Sequence, residues 1–288
     1  MPKILRERIA GLRGTNARLR REKDGDKHMI MVRVLNAEGR LLAEAAHETD
    51  VRLRVDRSYQ PGDRIEINSD EKHLIVQMDA TILPGEVYLP EGRMTWTVPA
   101  GEHRLAYCPV AFGGGRHIVT ARAMTRAEVT ARRNVACNPS DLRGDTDFYP
   151  HCTANVETRG ESCFAARNVI DGMRHSDYHG EWPFQSWGIG AREDAWCLLD
   201  FGRKIETDEM ALTLRADFPH DAYWTAGHVA LSDGSEIAYA LKKTGDRQFI
   251  SLGGVHTVRW MRLERMQKSD DPSAFPALIE WEVFGRDA

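Results

Sequence analysis

Residues 209–231 read Glu-Met-Ala-Leu-Thr-Leu-Arg-Ala-Asp-Phe-Pro-His-Asp-Ala-Tyr-Trp-Thr-Ala-Gly-His-Val-Ala-Leu. The runs at 209–214 and 228–231 have the apolar content of buried β-strands. The residues between them carry aromatic rings, an arginine, a histidine and carboxylates, whereas Gly, Asn or Pro alone would reverse the chain. This stretch therefore predicts two strands joined by a binding loop, at residues 215–224.

Length and composition set the general class of the chain. It has 288 residues, 42% of them hydrophobic, which is enough for one large domain or two of ordinary size. No apolar run approaches the length of a membrane span, and the N-terminus has charges where a signal peptide has an apolar segment. We therefore expect a cytoplasmic protein. The net charge of -4 predicts no general affinity for nucleic acid.

The cysteines predict a reduced protein. Five of them in irregular spacing, without a Cys-x-x-Cys pair, do not form a disulfide framework in a chain of this size. We expect mostly buried thiols at Cys108, Cys137, Cys152, Cys163 and Cys197.

Residues 1–27 form a basic arm. Its first 23 residues contain eight Lys or Arg and two Glu. Leu5, Ile9 and Leu12 recur at helical spacing, which predicts a short amphipathic helix. One interpretation is that the helix docks on its own domain or, in a homo-oligomer, on a second subunit. The other is that it contacts RNA or an anionic membrane.

Short β-like runs separated by Pro and Gly turns fill residues 28–133 and predict an antiparallel β-sandwich. Residues 134–167 lack periodicity, and we expect an irregular connection that packs across both domains because it contains Phe148, Tyr149 and Phe164. Residues 168–288 are again rich in β-like runs. The predicted class is all-β, with two antiparallel β-sandwich domains and a short N-terminal helix.

Four signals follow one another in the second domain: Val-Ile-Asp-Gly at 169–172, Trp-Cys-Leu-Leu-Asp-Phe-Gly at 196–202, Ser-Asp-Gly at 232–234 and Leu-Ile-Glu-Trp-Glu-Val-Phe-Gly at 278–285. In this order they resemble the discoidin-like domains related to the C-type domains of coagulation factors, which include many bacterial carbohydrate-binding modules. The resemblance covers about residues 168–285 and implies a galactose-binding-like jelly roll. Nothing comparable covers residues 1–167.

The resemblance also implies a structural calcium ion. Bacterial members hold it near the chain crossing with the Asp of Asp-Gly, main-chain carbonyls and the first Glu of the closing motif. Those positions are Asp171 and Glu280. Calcium suits such a site because it accepts six to eight oxygen ligands. The alternative is that Asp171 caps a turn and Glu280 faces solvent.

In this family the loop after Asp-Gly lies at the same end of the sandwich as the loop at 215–224. The two loops together offer aromatic faces, arginine donors and carboxylate acceptors, which a saccharide requires. The predicted ligand-binding residues are Arg174, His179, Glu181, Trp182, Arg215, Asp217, His220, Asp221, Tyr223 and Trp224.

Individual assignments in these loops have alternatives. Trp182, Tyr223 and Trp224 are either stacking platforms or packing residues. Arg215 and Asp217 form either an ion pair or a ligand clamp. His175, Asp177 and His179 also have the residue types of a transition-metal site.

These residues favour a carbohydrate-binding protein that is not an enzyme. The second hypothesis is an intracellular enzyme acting on a sugar or sugar acid, of the glycoside hydrolase or lyase type, with its site between the two domains. In that case His220 or His179 is the base and Arg215 holds an anion. A structural or assembly protein is the third hypothesis.

Overall fold

The computed structural model describes residues 29–215 and 222–288, and its first part is a two-layer antiparallel sandwich. One sheet has the order β2-β1-β4-β7 and the other β3-β8-β5-β6. The strands are β1 (Ile30–Leu35), β2 (Leu41–His47), β3 (Asp50–Val55), β4 (Arg64–Ser69), β5 (His73–Gln77), β6 (Gly85–Tyr88), β7 (Arg93–Thr97) and β8 (His117–Ala123). The predicted basic arm and its helix lie outside the described residues.

Alternation along these strands produces the core of the first sandwich. In β3 the side chains of Val51, Leu53 and Val55 are buried while Arg52 and Arg54 point to solvent. This period of two places every second residue on the inner face of a sheet. The two inner faces together enclose a core that includes Ile65, Leu74, Met94 and Trp96.

The second part is built on three long strands. It contains β9 (Arg133–Asn134), β10 (His151–Ala154), β11 (Trp187–Gly188), β12 (Cys197–Leu214), β13 (Trp224–Leu231), β14 (Glu236–Ala240), β15 (Gln248–Lys268) and β16 (Ala277–Asp287). The sheet order is β11-β16-β12-β15-β13-β14, with β10 paired to β12 and β9 to β16. Irregularities in β12 at 200–205 and 207–209 interrupt the ladder, and such bulges bend a strand. The predicted all-β sandwich and jelly-roll class is confirmed.

Helices are few and short in the described residues. One α-helix, α1 (Arg126–Thr130), and four 3-10 helices, Gly101–Ala106, Thr158–Gly160, Ser162–Phe164 and Ala166–Ile170, connect the strands. None of them has the length and apolar character needed to cross a membrane.

The segment 134–167 is more ordered than the sequence indicated. It contains β10, in which His151 pairs with Asp200 of β12, and three of the 3-10 helices begin within it. These residues add β10 to the second sheet, while residues 135–148 contain only turns, bends and unassigned backbone. Phe148 belongs to the first core and Cys152 to the second, so the segment packs across both. The proposed domain limits themselves stay a prediction.

A buried cluster of charges joins the two sandwiches. Glu86 of β6 accepts hydrogen bonds from Arg133 at 2.7 Å and from Arg203 at 2.6 Å. Asp287 of β16 accepts from Arg203 at 2.8 Å and from Arg133 at 3.0 Å. His73 lies 3.3 Å from the carboxylate of Asp287. Burial raises the pKa of Glu86, but the hydrogen bonds from His73 and Arg133 and the charge of Arg203 outweigh it and lower the pKa to about 2.

We expect Glu86→Gln to lower the free energy of unfolding by about 3 kcal/mol at neutral pH, because it removes a charge that two guanidinium groups require. The lowered pKa means that this stability is present above the ordinary value of 4.5 and is lost as the pH falls through about 2. Urea unfolding of both proteins at a series of pH values measures the difference, which should shrink towards zero in acid.

Glu206→Gln is the matched control, since Glu206 pairs with the exposed Arg286 at 2.8 Å. Its effect should stay below about 1 kcal/mol. A Glu86→Gln effect as small as this, or one that does not change with pH, would show that the cluster does not hold the sandwiches together.

Candidate functional site

One end of the second sandwich brings two of the predicted residues together. His179, from the loop that follows Asp171, and Arg215, directly after β12, line one cavity of about 170 Å³. Thr158, Arg159 and Phe275 are further lining residues. Asp217, His220 and Asp221 lie outside the described residues. The lining residues named for this cavity therefore include only the described residues of the loop at 215–224.

The start of β16 holds Arg215 in place. Its backbone N–H donates to the carbonyl of Ala277 at 3.1 Å, and its guanidinium donates to the carbonyl of Phe275. The side chain is buried at 5% exposure, so its orientation is fixed by packing. Whether Arg215 and Asp217 form an ion pair or a clamp stays open, because Asp217 is not described.

An aromatic cluster lies beside the cavity. The ring of Tyr178 stacks on that of His179, with centroids 5.1 Å apart and planes inclined by 17°. Phe184 meets Tyr178 edge-on at 5.4 Å. Tyr178 is 55% exposed and Phe275, on the cavity wall, is 45% exposed. These two rings offer apolar faces to solvent at a site that also carries polar donors.

Five of the predicted residues that the structure describes do not line this cavity, and Trp224 is one of them. Trp182 lines a separate cavity of about 240 Å³, and its backbone N–H donates to the carbonyl of Leu105 in the first sandwich at 2.8 Å. Glu181 is exposed. Arg174 lies 3.3 Å from the carboxylate of Glu282, and Tyr223 is half-buried against the core.

Trp224 requires a correction. It is only 3% exposed and packs against Trp187, with ring centroids 6.0 Å apart. A buried indole offers no face to a ligand, so the prediction of Trp224 as a stacking platform is wrong. Trp224 is the first residue of β13 and follows the predicted loop directly. At this border the sequence alone does not tell a ligand-stacking ring from a core residue.

Sequence reasoning missed Thr158, Arg159, Tyr178 and Phe275 as cavity or rim residues. Arg159 and Thr158 lie in the segment that was expected to be a connection. Phe275 could have been predicted from the sequence. It precedes Pro276 and the closing strand β16, and a residue at that position lies at one end of the sandwich. Tyr178 lies within the predicted loop, but Trp182 was predicted as the stacking residue of that loop.

The structure does not assemble the predicted transition-metal set at 175–179. Within residues 29–215 and 222–288, one group of three metal-ligating side chains lies close enough together to hold an ion. It consists of His73, Glu86 and Asp287. Arg133 and Arg203 already pair with both carboxylates of that group. A cation there would have to displace two guanidinium groups.

Asp171 and Glu280, the predicted calcium ligands, form a buried acidic pair. They are 5% and 1% exposed. Burial raises the pKa of Asp171 to about 6. Burial, followed by repulsion from Asp171 and Glu282, holds the pKa of Glu280 well above its ordinary range. The alternative that Glu280 faces solvent is wrong.

The surroundings of this pair supply oxygen ligands suited to a hard cation, although the buried guanidinium of Arg167 lies 4.0 Å from the carboxylate of Asp171. Gln185 donates to Asp171 at 2.7 Å, while the buried amide oxygen of Gln185 has no hydrogen-bond partner in the described residues. Glu280 accepts from the backbone N–H of Gly172 at 3.2 Å. Carboxylate and amide oxygens are the ligands that calcium prefers, so the donor chemistry is suitable.

No family model and no curated protein matches this sequence. Solved structures do resemble it. One is chitosan-binding module 1 of a chitosanase/glucanase from Paenibacillus sp. IK-5, with 18% identity, 53% of this chain and 99% of that chain covered, and a TM-score of 0.38. Another is a Streptococcus pneumoniae fucose-binding module, with 14% identity, 53% of this chain and 95% of that chain covered, and a TM-score of 0.38. A third is the lectin domain of lectinolysin complexed with Lewis B antigen, with 20% identity, 54% of this chain and 98% of that chain covered, and a TM-score of 0.39.

We expect Trp224→Ala to lower the free energy of unfolding by about 3–5 kcal/mol, because it leaves a cavity beside Trp187. Tyr178→Ala, which removes an exposed ring, should change it by less than about 1 kcal/mol. Urea unfolding of the two variants checks the assignment of one ring to the core and the other to the surface. Equal effects would contradict it.

Proposed function

We propose that this protein binds a saccharide in the cavity at the end of its second sandwich. The observation that carries the proposal is the meeting of His179 and Arg215 from two separate loops, beside the exposed rings of Tyr178 and Phe275. Saccharides are bound by apolar stacking on their C–H faces and by directed hydrogen bonds to their hydroxyls. Both requirements are supplied within one site.

The size of the cavity suggests how much of a saccharide it holds. Its volume of about 170 Å³ lies below the roughly 300–1,000 Å³ of pockets that enclose drug-sized ligands. A single sugar unit at the end of a chain suits this volume better than an internal segment. The rest of the ligand would extend over Tyr178 into solvent.

The described residues that line the cavity supply hydrogen-bond donors rather than carboxyl groups. Glycoside hydrolysis commonly requires two carboxyl groups flanking the scissile bond. Among the described lining residues there is no carboxylate, although Arg159, Arg215 and His179 provide donors. The catalytic roles considered for His220, His179 and Arg215 stay predictions, since His220 is not described.

We expect the wild-type protein to bind a subset of immobilised glycans on an array, and Phe275→Ala to weaken binding of the best of them by about tenfold. His179→Ala should have a similar effect, because it removes a hydrogen-bonding group and the support of the Tyr178 ring. Isothermal titration calorimetry with that glycan measures both changes.

Phe249→Ala is the matched control, because Phe249 is 55% exposed and lies on β15 away from the lining residues. It should leave the affinity unchanged. Wild-type affinity in Phe275→Ala and His179→Ala, or an equal loss in Phe249→Ala, would overturn the assignment of the site.

We further propose that Asp171 and Glu280, with the amide oxygen of Gln185, hold a structural calcium ion. The support is the burial of two acidic groups together with an amide oxygen that lacks a partner in the described residues. When bound, calcium would neutralise the pair. It would also fix the start of the loop that carries Tyr178 and His179, because Gly172 is bonded to Glu280.

We expect millimolar calcium to raise the melting temperature of chelator-treated wild-type protein, since a ligand that binds only the folded state stabilises it. Glu280→Gln should abolish this increase, whereas Glu206→Gln at an exposed pair should retain it. Differential scanning calorimetry with calcium and with magnesium measures the effect. A calcium response in Glu280→Gln equal to that of the wild type would disprove the site.

A further inference from the structure

Two buried thiols meet between β10 and β12. The sulfur atoms of Cys152 and Cys197 lie 3.1 Å apart, although the two residues are 45 positions apart in the sequence. Both cysteines are free, and both belong to the core of the second sandwich, at 2% and 0% exposure. A disulfide bond has a length of about 2.0 Å, so the sulfur atoms need to approach by only about 1 Å to form one.

The register of the sheet explains why these two side chains meet. The strands β10 and β12 are antiparallel, with Cys152 opposite Leu199 and Cys197 opposite Ala154. The two cysteines are therefore diagonal neighbours whose side chains both point to the inner face of the sheet. Their contact is set by the pairing of two strands and not by the conformation of a loop.

The strand β10 can supply the small movement that the bond requires. It has four residues, and among the described strands it pairs only with β12. A short element at the edge of a sheet opens at a lower cost in free energy than the whole domain. Such local opening shifts the sulfur of Cys152 and also brings it into contact with solvent.

The closed structure protects the thiol of Cys152 from reaction. Burial, and then the hydrogen bond between its thiol and that of Cys197, hold the pKa of Cys152 well above its ordinary value. The thiolate is the reactive form of cysteine, so a buried protonated thiol is inert. Oxidation therefore requires β10 to open, or takes place before β10 has joined the sheet during folding.

We propose that Cys152 and Cys197 form a disulfide bond under oxidising conditions and that this bond locks β10 onto β12. A small disulfide such as oxidised glutathione is the oxidant. The thiol of Cys152 loses its proton to solvent, and the thiolate attacks the oxidant and releases one glutathione thiolate. The thiolate of Cys197 then attacks the sulfur of Cys152 and releases the second.

The reaction balances, since two protein thiols and one oxidised glutathione give one protein disulfide and two reduced glutathione molecules. The bond would hold the segment 134–167 on the second sandwich. Thr158 and Arg159, which line the proposed sugar cavity, follow β10 by a few residues. Sugar binding is not required for the bond to form, so a failure of the proposed sugar site would leave the disulfide untouched.

Refolding of the full chain from urea, in buffers of oxidised or of reduced glutathione, tests the proposal. After refolding with oxidised glutathione, peptide mapping by mass spectrometry should find Cys152 joined to Cys197, with the loss of two hydrogen atoms. The bond should raise the urea midpoint of unfolding by about 1 M relative to the reduced protein, because a crosslink restricts the unfolded chain.

Cys197→Ala and Cys163→Ala are the matched variants, because each replaces a buried cysteine, and the sulfur of Cys163 contacts the carboxylate of Glu161 at 4.0 Å instead. Each variant is compared with its own reduced form, which removes the effect of the substitution itself. The increase in midpoint should persist in Cys163→Ala and vanish in Cys197→Ala.

Three results would overturn the proposal: separate Cys152 and Cys197 peptides after refolding with oxidised glutathione, a different pair of linked cysteines, or an increase in midpoint that Cys197→Ala retains. If Cys197→Ala does not fold, the peptide map of the wild-type protein decides.

Discussion

The charges of Glu86 and Asp287 have to be neutralised where the two sandwiches meet, and Arg133 and Arg203 perform this task. Arg203 bonds to both carboxylates, one on β6 and the other on β16, so it ties strands of different sandwiches to each other. Buried ions are tolerated when such geometry satisfies them, and their loss is severe. The relative position of the two sandwiches depends on this arrangement.

The proposed sugar site at the end of the second sandwich depends on this rigid framework. Short strands and loops carry the polar groups, while long strands such as β12 and β16 hold those loops at fixed positions. Arg215 shows the principle, since backbone and side-chain bonds to residues 275–277 set its direction. Preorganised donors lose little conformational entropy on binding.

Sequence patterns predicted the strands better than they predicted the site. Alternation as in Val51, Leu53 and Val55 is local, so the all-β class and the first sandwich could be read directly. Roles that depend on contacts distant in sequence could not. Trp224 looked like a ligand platform because nothing local reveals that Trp187, 37 positions earlier, covers it.

The same limit explains the missed cavity residues. Phe275 and Arg159 are 116 positions apart in the sequence and meet only because β11 and β16 pair beside them. In contrast, the family resemblance predicted that Asp171 and Glu280 lie together, and they form a buried pair. Their role as calcium ligands stays a proposal.

The segment 134–167 places Phe148 in the first core and Cys152, four residues later, in the second. This segment therefore contributes side chains to both cores. Removing residues before 168 would take β9 and β10 from the second sheet as well as the entire first sandwich. The second sheet is therefore complete only when residues 133–154 stay with it.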